Sequence, residues 1–248
     1  KFIKNDKSKI DFISSHGHTI FHNPDQKFTL QIGDGQSISN TTKLKTISDF
    51  RSLDVKLNGQ GAPLVPIGDK YLFNDYKYCL NLGGFANVSI KNNDKIIAYD
   101  ICPANIILNY LAMKLNIEFD RNGEIGEKGS VNIRLLDKLN KLDFYGRQNP
   151  KSLSREWLEE KILIMPELLK LKTQDLLATF YEHIGLQIGK ILKDGTVYIT
   201  GGGAYNTFLC NRIKKYSNSN IIIPDPLNLE FKEAMIFGFL GVLKDRNE

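Results

Sequence analysis

The stretch LNLGGFANVSIKNNDKIIAYDICPAN, residues 80–105, contains the signals that decide the fold of this chain. A glycine pair separates its first two extended segments, and an Asn/Asp-rich turn at 92–94 separates the last two. Asn and Asp favour turns because they tolerate left-handed backbone and bond their own main chain. The stretch therefore predicts a hairpin-like series of strands, at Tyr78–Leu82, Ala86–Ile90 and Lys95–Tyr99.

Asp100 stands at the end of the third predicted strand, and Pro103 follows shortly after it. Proline fits the first turn of a helix because its missing N–H is not needed there, so Pro103 predicts a helix start. The apolar residues of this helix recur at helical spacing, at Ile106, Leu108, Leu111 and Leu115. A carboxylate between a strand and a helix lies where sheet proteins bind ligands. Helix-capping Asp residues have the same placement and are commoner, so spacing alone leaves both interpretations open.

Composition and charge narrow the class of protein. The chain has 248 residues, 42% hydrophobic and 25% charged, which is typical of a globular protein with a sizeable core. Its net charge of +5 is mild and its lysines are not interleaved with aromatic residues, so no nucleic-acid partner is expected. No apolar run approaches ~18 residues and no signal peptide is visible, so no membrane partner is expected. Three widely spaced cysteines without a CxxC pattern favour a reduced, cytoplasmic protein.

The N-terminal part contains a polar loop with a glycine, Ser14–Thr19, after a short predicted strand at Ile10–Ser14. A strand that runs into such a loop is typical of ligand-binding loops. His16, His18 and His22 lie close in sequence, but no carboxylate or cysteine completes a zinc-binding set, so surface turn histidines are favoured over a metal site. Further elements are predicted at Phe28–Ile32 (strand), Gln36–Thr41 (helix) and Lys45–Ile47 (strand).

The segment Asn58–Pro66 (NGQGAPLVP) combines glycines and prolines with few helix or strand formers, which predicts an ordered loop with a constrained backbone. Arg51 precedes this loop and lies between Asp49 and Asp54. It either belongs to an ion-pair network or binds an anionic substrate through bidentate hydrogen bonds, and composition does not decide between the two.

In the second half of the chain, a strand at Thr196–Thr200 ends in the glycine run Gly201–Gly203. Consecutive glycines let the backbone approach a ligand and leave the N–H groups of the next helix available. The P-loop lysine and the GxGxxG spacing are absent, so this is a weak nucleotide signal. Glu233, in the first turn of a helix expected at Lys232–Leu243, is either a dipole-favourable surface residue or a substrate contact. Other predicted elements are helices at 106–116, 129–141, 154–164 (capped by Ser154) and 173–193, and a strand at Ile221–Ile223.

Several segments resemble, in this order, the anhydro-N-acetylmuramic acid kinases: SHGHT, FTLQIGD, DFRSLDVKLNGQGAPLVP, LNLGGFANVS, YDICPAN, PKSLSRE, ITGGGAYN and KEAMIFGFLG. The resemblance extends from about residue 10 to about residue 243, and GQGAPLVP and GGxANxS are its most specific motifs. The strands that feed helices already indicate an α/β fold with a mixed sheet. The resemblance implies an actin-like, ribonuclease H-like two-domain sugar kinase fold, with mixed sheets flanked by helices and an incomplete first domain. The domains are then expected at residues 1–75 (sugar and phosphate side) and 76–248 (nucleotide side).

The resemblance also implies an activity, in which the 1,6-anhydro ring of anhydro-N-acetylmuramic acid is opened with water and O6 is phosphorylated by ATP. The products are N-acetylmuramate 6-phosphate and ADP, in cytoplasmic peptidoglycan recycling. Asp100 matches the family's catalytic Asp, which acts as general base on the water, while Mg²⁺ and backbone dipoles carry the phosphoryl charge. ATP and Mg²⁺ are the expected cofactors and the anhydro-sugar is the expected partner. A homodimer is compatible with the resemblance.

The other candidate residues are carried over one by one and divide between the two ligands. The expected sugar-side residues are His16, Asp49, Arg51, Gln60, Gly61, Ala62, Pro63 and Glu233. The expected nucleotide-side residues are Gly83, Gly84, Asn87, Gly201, Gly202, Gly203 and Asn206.

The chain departs from the family pattern in two places. After Asp100 the common TGPGN is replaced by ICPAN, residues 101–105. The family's initial GxMSGTSxDG loop, which holds the ATP phosphates, is not found, and the chain begins at Lys1, so a truncated kinase is expected, inactive until that loop is restored. The alternatives are a non-catalytic sugar- or nucleotide-binding remnant, against which the intact Asp100, Arg51 and Glu233 argue, and another actin-fold kinase or hydrolase, against which GQGAPLVP argues.

Overall fold

The computed structural model describes residues 9–93 and 95–248, except for the side chain of Asp25. These residues form two units, of which the first comprises the chain up to residue 72 together with 231–248, and the second comprises 73–230. The first boundary lies close to the expected one at residue 75. Residues 231–248, expected in the second domain, group instead with the first unit.

The first unit contains small sheets and short helices. Its elements before residue 73 are β1 (Ile13–Ser15), β2 (His18–Asn23), β3 (Phe28–Ile32), α1 (Gly35–Thr42), β4 (Thr46–Ser48), α2 (Ser52–Lys56) and α3 (Val65–Leu72). β1 pairs in parallel with β4, and β2 and β3 form an antiparallel hairpin. The strand β2 does not match any predicted element. His18 and His22 lie on that strand with exposed side chains, so they are surface residues as expected but not turn residues.

The second unit is built on a five-stranded mixed sheet of order β7-β6-β5-β8-β9. Its strands are β5 (Tyr78–Leu82), β6 (Phe85–Asn92), β7 (Lys95–Pro103), β8 (Thr196–Thr200) and β9 (Asn220–Ile222). β6 runs antiparallel to β5 and β7, whereas β8 runs parallel to both β5 and β9. The predicted strands around the glycine pair are therefore confirmed. Of the predicted turn at 92–94, Asp94 lies outside the described residues, and Asn93 has the expected positive φ of 53°.

Helices flank this sheet. They are α4 (Asn105–Met113), α5 (Glu124–Glu127), α6 (Ile133–Asn140), α7 (Asp143–Gly146), α8 (Arg155–Leu158), α9 (Glu167–Lys170), α10 (Thr173–Gly189) and α11 (Thr207–Tyr216). α8 continues into a π-helical turn at Glu159–Leu163. The predicted cap of α8 is confirmed, because Ser154 Oγ accepts from the Trp157 N–H at 3.3 Å. α10 is buried along most of its length and packs against α4, α5, α6, α11 and β7, which confirms an α/β fold with a mixed sheet flanked by helices.

The start of α4 differs from the prediction. Pro103 is the last residue of β7, and the helix begins at Asn105. The N–H groups of Ala104 and Asn105 donate to the carbonyls of Gly84 and Gly83 at 2.8 and 3.1 Å. The carbonyls of the glycine turn between β5 and β6 thus satisfy N–H groups at the start of α4 that would otherwise lack acceptors. A proline without an N–H is therefore not needed at the first helical position.

The last helix, α12 (Pro226–Arg246), begins earlier than the predicted start at Lys232. Asp225 Oδ1 accepts from the Asn228 N–H at 3.1 Å and so caps the helix. Pro226 takes its first position, where proline is favoured. None of the described helices is long and apolar enough to cross a membrane.

Two contacts explain why the end of the chain belongs to the first unit. The side chain of Ile236 packs against Gly68 of α3, where no Cβ could fit. Lys232 of α12 and Asp69 of α3 form a buried ion pair with an N–O distance of 2.6 Å. Breaking such a pair leaves an uncompensated buried charge, so the contact between α3 and α12 is strongly specified.

Candidate functional site

A row of polar side chains crosses the sheet of the second unit at one level. Asp100 on β7 pairs with Asn87 on β6, Asn87 pairs with Asn81 on β5, and Asn81 pairs with Thr200 on β8. Directly paired residues project to the same face of a sheet, so these side chains lie side by side. The row stands at the carboxyl ends of the parallel strands β5 and β8, which is where open α/β sheets bind ligands. The neighbouring row is apolar and buried, with Tyr99, Val88, Leu80 and Ile199.

Asp100 is half-buried and is held from outside the sheet. Its Oδ2 accepts the Leu153 N–H at 2.8 Å, and its own N–H donates to the Lys151 carbonyl at 2.9 Å. Ile101 is the extra residue of a β-bulge between Asp100 and Cys102, a device that re-aims side chains near functional sites. No residue in the described part of the chain donates to Asp100 Oδ1.

These contacts decide the role of Asp100 in the fold. α4 has Ala104 at its N-cap, with no side-chain cap bond, so the helix-cap interpretation of Asp100 is wrong. Burial raises the pKa of the Asp100 carboxyl, and the Leu153 N–H partly offsets this by favouring the charged form. The result is a half-buried carboxylate in which Oδ2 is held by the Leu153 N–H and Oδ1 accepts no hydrogen bond from the described residues.

The three glycines after β8, Gly201–Gly203, differ in why a side chain is absent. Gly201 has a φ of +83°, and a Cβ there would lie 2.8 Å from the backbone carbonyl carbon of Leu82. A Cβ at Gly203 would lie 2.7 Å from the Leu82 Cβ. At Gly202 the nearest atom to an added Cβ is Asn105 Nδ2, at 3.9 Å. Packing against β5 therefore requires Gly201 and Gly203, whereas Gly202 adjoins open space.

A cleft of about 560 Å³ opens beside this run, and its lining includes Asn105, Phe119, Arg121, Gly202, Tyr205 and Asn206. This volume is within the range of small-molecule sites in proteins. Its lining includes three aromatic rings, several amide groups, one guanidinium and one carboxylate, a combination that can stack on a flat ring and bond its edges.

One wall of the cleft is a buried hydrogen-bond network of which only Asn206 is predicted from the sequence. Asp120 accepts the N–H groups of Ile125 and Gly126, both at 2.9 Å. The Tyr181 hydroxyl donates to Asp120 Oδ2 at 3.2 Å and accepts from Asn206 Nδ2 at 2.8 Å. Burial and the nearby Asp120 charge raise the pKa of Tyr181, which keeps its hydroxyl protonated as a donor. The partners are far apart in sequence, so no local pattern could have revealed the network.

In the first unit, Arg51 brings several expected sugar-side residues together. Its Nε donates to His16 Nε2 at 3.0 Å, and its Nη1 donates to the Gly61 carbonyl at 2.6 Å. Burial and the charge of Arg51 lower the pKa of His16, while Glu233 opposes this shift. Burial lowers the pKa of Arg51 as well, again against Glu233. His16, Arg51, Gly61 and Glu233 thus form one polar group, called here the Arg51 cluster.

The carboxylates beside Arg51 in the sequence have other partners. Asp49 Oδ1 accepts the Ser52 N–H at 3.1 Å, and Asp54 Oδ2 accepts the Gly61 N–H at 2.6 Å. Among the residues that the structure describes, Arg51 forms no ion pair with Asp49 or Asp54, and the carboxylate that acts on it electrostatically is that of Glu233. The remaining expected sugar-side residues lie on the same loop as Gly61, with Gln60 and Pro63 exposed and Ala62 half-buried.

Comparisons with known proteins agree with the sequence motifs. The profile of the AnmK family, described as anhydro-N-acetylmuramic acid kinase, matches residues 3–245. The anhydro-N-acetylmuramic acid kinase of Gamma-proteobacterium EBAC31A08 is 36% identical over 261 residues, which cover 100% of this chain and 71% of that protein. The enzyme of that name from Aliivibrio fischeri is 34% identical, covering 94% and 68%.

Among solved structures, the activator of the 2-hydroxyisocaproyl-CoA dehydratase from Clostridium difficile, with bound ADPNP, matches with a TM-score of 0.44 and 16% identity. The match covers 82% of this chain and 70% of that one. A likeness this distant carries no weight for function.

Proposed function

This chain belongs to the anhydro-N-acetylmuramic acid kinase family, and on that premise we propose that its function is to open 1,6-anhydro-N-acetylmuramic acid with water and phosphorylate O6 at the expense of ATP. The products are N-acetylmuramate 6-phosphate and ADP, and the reaction belongs to cytoplasmic peptidoglycan recycling. The observation that carries the proposal is the Asp100 carboxylate, whose Oδ2 is held by a backbone N–H while its Oδ1 lacks a donor among the described residues.

Asp100 is the general base of this reaction. Its Oδ1 takes a proton from a water as that water forms a bond to the anomeric carbon, and the bond between this carbon and O6 breaks. O6 then takes the γ-phosphoryl group and ADP leaves, while the proton on Asp100 passes to solvent. Burial makes the Asp100 carboxylate a stronger base than an exposed one, which is what general-base catalysis near neutral pH requires.

The nucleotide binds to the second unit. The cleft beside Gly202 binds the nucleoside. Asn206 and Arg121 line this cleft. The phosphates extend toward the polar row, where Asn81 and Asn87 offer amide groups. The carboxylate and amide oxygens of the polar row would hold the Mg²⁺ that accompanies ATP, since this ion usually needs only one or two protein oxygens besides water and phosphate. Bound there, it would supply neutralisation of the phosphate charge.

The sugar binds to the first unit through the Arg51 cluster. The substrate carries a lactyl carboxylate, and a guanidinium is the side chain best suited to bind it. Nε and Nη1 of Arg51 are used by His16 and Gly61, which fix the plane of the guanidinium. Nη2 donates to none of the described residues and takes the carboxylate.

The test is a coupled ADP-release assay on the complete protein with MgATP and the anhydro-sugar. Asp100→Asn should lower kcat by roughly 10²–10⁴-fold, as expected for loss of a general base, with sugar binding by calorimetry retained. Asp194→Asn, which removes an exposed carboxylate paired with Lys77, is the control and should have normal activity. Turnover by Asp100→Asn would overturn the base assignment. Sugar binding without any ADP release by the complete protein would favour the remnant alternative.

A further inference from the structure

The loop between α7 and α8, residues 147–154, lies against β7 at the position of Asp100. The Asp100 N–H donates to the Lys151 carbonyl, and the Leu153 N–H donates to the Asp100 carboxylate. A single residue of the strand is thus held through both its backbone and its side chain by one loop. Any shift of that loop would move the N–H that fixes the carboxylate.

Lys151 fastens this loop to α7. Its ammonium donates to the Phe144 carbonyl at 3.0 Å and reaches the Arg147 carbonyl at 3.5 Å. It also stands 4.6 Å from the centroid of the Phe144 ring, a cation–π distance. Phe144 is fully buried and packs against Tyr145 and Trp157, so it is a rigid anchor.

The other end of the loop is fixed separately, because Ser154 caps α8. On the α7 side, Arg147 pairs with Asp143 at the start of the loop. Lys151 ties the loop to α7 closer to Asp100, two residues from the N–H that Asp100 accepts. The alternative is that Lys151 only caps the C-terminal carbonyls of α7. In that case replacing it would not change the pKa or the position of the Asp100 carboxylate.

We propose that Lys151 is a positioning residue for Asp100: by tying the 147–154 loop to the Phe144 carbonyl, it keeps the Leu153 N–H on Oδ2 and Oδ1 turned toward the reactants. The inference rests on the proposed function for its effect on catalysis, but the coupling of Lys151 to the Asp100 carboxylate stands independently of the substrate. Without the tether, the carboxylate loses the N–H that favours its charged form and is free to rotate.

Burial raises the pKa of the Tyr99 hydroxyl, on the residue before Asp100, so Tyr99 stays neutral in the acid range. Cys102 follows Asp100 on β7, and Tyr145 of α7 lies near Cys102. Burial raises the pKa of both the Cys102 thiol and the Tyr145 hydroxyl, so both stay neutral.

Lys151 is cationic throughout the acid range. His16 adds its own acid limb through sugar binding, but the hydrogen bonds and the ring contact of Lys151 do not involve His16. A shift of the acid limb that appears in Lys151→Met and not in Lys114→Met therefore reports on Asp100.

The experiment compares Lys151→Met, Lys151→Arg and Lys114→Met in the complete protein. Lys114 makes a matched pair of contacts elsewhere, since its Nζ donates to the Leu168 carbonyl at 2.8 Å and stands 5.2 Å from the Tyr110 ring centroid. Lys151→Met should lower kcat roughly 10- to 100-fold, the scale expected of a misplaced catalytic group, with KM for both substrates nearly unchanged. The acid limb of its kcat/KM profile should move to higher pH. Lys151→Arg should restore most of the activity, and Lys114→Met should behave as the wild type.

A second measurement needs no turnover. Carboxyl-carbon NMR of Asp100 should give a higher pKa in Lys151→Met than in the wild type or Lys114→Met, and the Leu153 amide should exchange faster. An unchanged Asp100 pKa and an unchanged acid limb in Lys151→Met would overturn the proposal even if activity fell. If the wild type fails to phosphorylate the anhydro-sugar, the proposed function fails, while the NMR titration still decides the coupling between Lys151 and Asp100.

Discussion

Arg51 Nε donates to His16 Nε2 at 3.0 Å, and this bond makes His16 an acceptor at that nitrogen. The His16 Nδ1 lies 3.0 Å from the Gly17 carbonyl and must carry the proton, because a carbonyl can only accept. The imidazole is therefore neutral, with a defined tautomer. A second proton, on Nε2, would set one cation directly against another, so the Arg51 cluster is intact only while His16 is uncharged.

The first prediction concerns pH and sugar binding. Burial and Arg51 lower the pKa of His16 from 6.5, so the neutral imidazole and the Arg51 bond persist at neutral pH and are lost as the pH falls through the lowered value. We expect the Kd for the anhydro-sugar, measured by calorimetry from pH 8 downward, to rise at the acid end. His16→Gln keeps an acceptor that does not titrate and should lack this component. An identical pH dependence in both proteins would contradict the prediction.

The second prediction concerns the planarity of Arg51. Lysine keeps the charge but has no planar fork, so it cannot bind His16, Gly61 and a carboxylate together. Arg51→Lys should raise KM for the sugar at least roughly 10-fold, the scale of a lost charge-assisted hydrogen bond, and leave ATP affinity unchanged. Arg155→Lys, at an exposed ion pair with Glu159, is the matched control. Equal losses of sugar and ATP affinity in Arg51→Lys would indicate a folding defect instead.

The third prediction separates the glycines after β8. Gly201→Ala should destabilise the protein by about 1–3 kcal/mol, because its φ of +83° disfavours a side chain and the Leu82 backbone blocks the Cβ. Gly202→Ala should leave the melting temperature nearly unchanged, since an added methyl meets nothing closer than 3.9 Å. It should nevertheless weaken ATP binding, because the methyl projects into the cleft. The reverse ranking in thermal melts would show that the packing roles of the two glycines are misassigned.

The fourth prediction concerns His183, whose ring accepts from the Tyr145 hydroxyl and donates to Asn140 Oδ1, at 2.7 and 2.9 Å. Burial, with a smaller contribution from the Lys190 charge, lowers the pKa of His183 from 6.5 to about 3. Between these values the unfolded chain binds a proton that the folded protein does not. Stability from this group is therefore complete above pH 6.5 and falls by about 1.4 kcal/mol per pH unit below it, until the folded pKa is reached.

Urea unfolding of the wild type and of His183→Gln across this pH range measures that slope. The variant, which cannot titrate at this position, should lose stability more slowly as the pH falls. His22→Gln, at an exposed position on β2, should have the wild-type slope. Parallel curves for the wild type and His183→Gln would show that the buried histidine does not control acid stability.

The fifth prediction concerns the wall of the nucleotide cleft. Tyr181→Phe removes a hydroxyl that bonds both Asp120 and Asn206, and a buried polar group left without its partner costs about 1–3 kcal/mol. We expect this loss in the free energy of unfolding, together with weaker ATP binding, because Asn206 lines the cleft. Tyr205→Phe, which loses only an exposed bond to Glu230, should change stability little. Unchanged stability in Tyr181→Phe would contradict the role assigned to the network.

Local sequence signals determined the elements whose cause is itself local. The glycine pair and the alternating segments specify β5, β6 and β7, helical periodicity specifies α10, and the Ser154 hydroxyl specifies the start of α8. The motifs also identified the family and marked Asp100 and Arg51. Each of these depends on residues within a few positions of one another, where propensity and hydrogen bonding act without help from the rest of the chain.

Tertiary structure alone decided what these residues touch. Spacing left Asp100 either a helix cap or a site residue, and its partner is Leu153. Composition left Arg51 either in an ion-pair network or free for an anion, and it bonds His16 and Gly61. The grouping of α12 with α3 likewise depends on contacts between distant segments. Sequence spacing does not predict such pairs. Joining distant segments costs chain entropy, and this cost is offset only by the packing of the whole core.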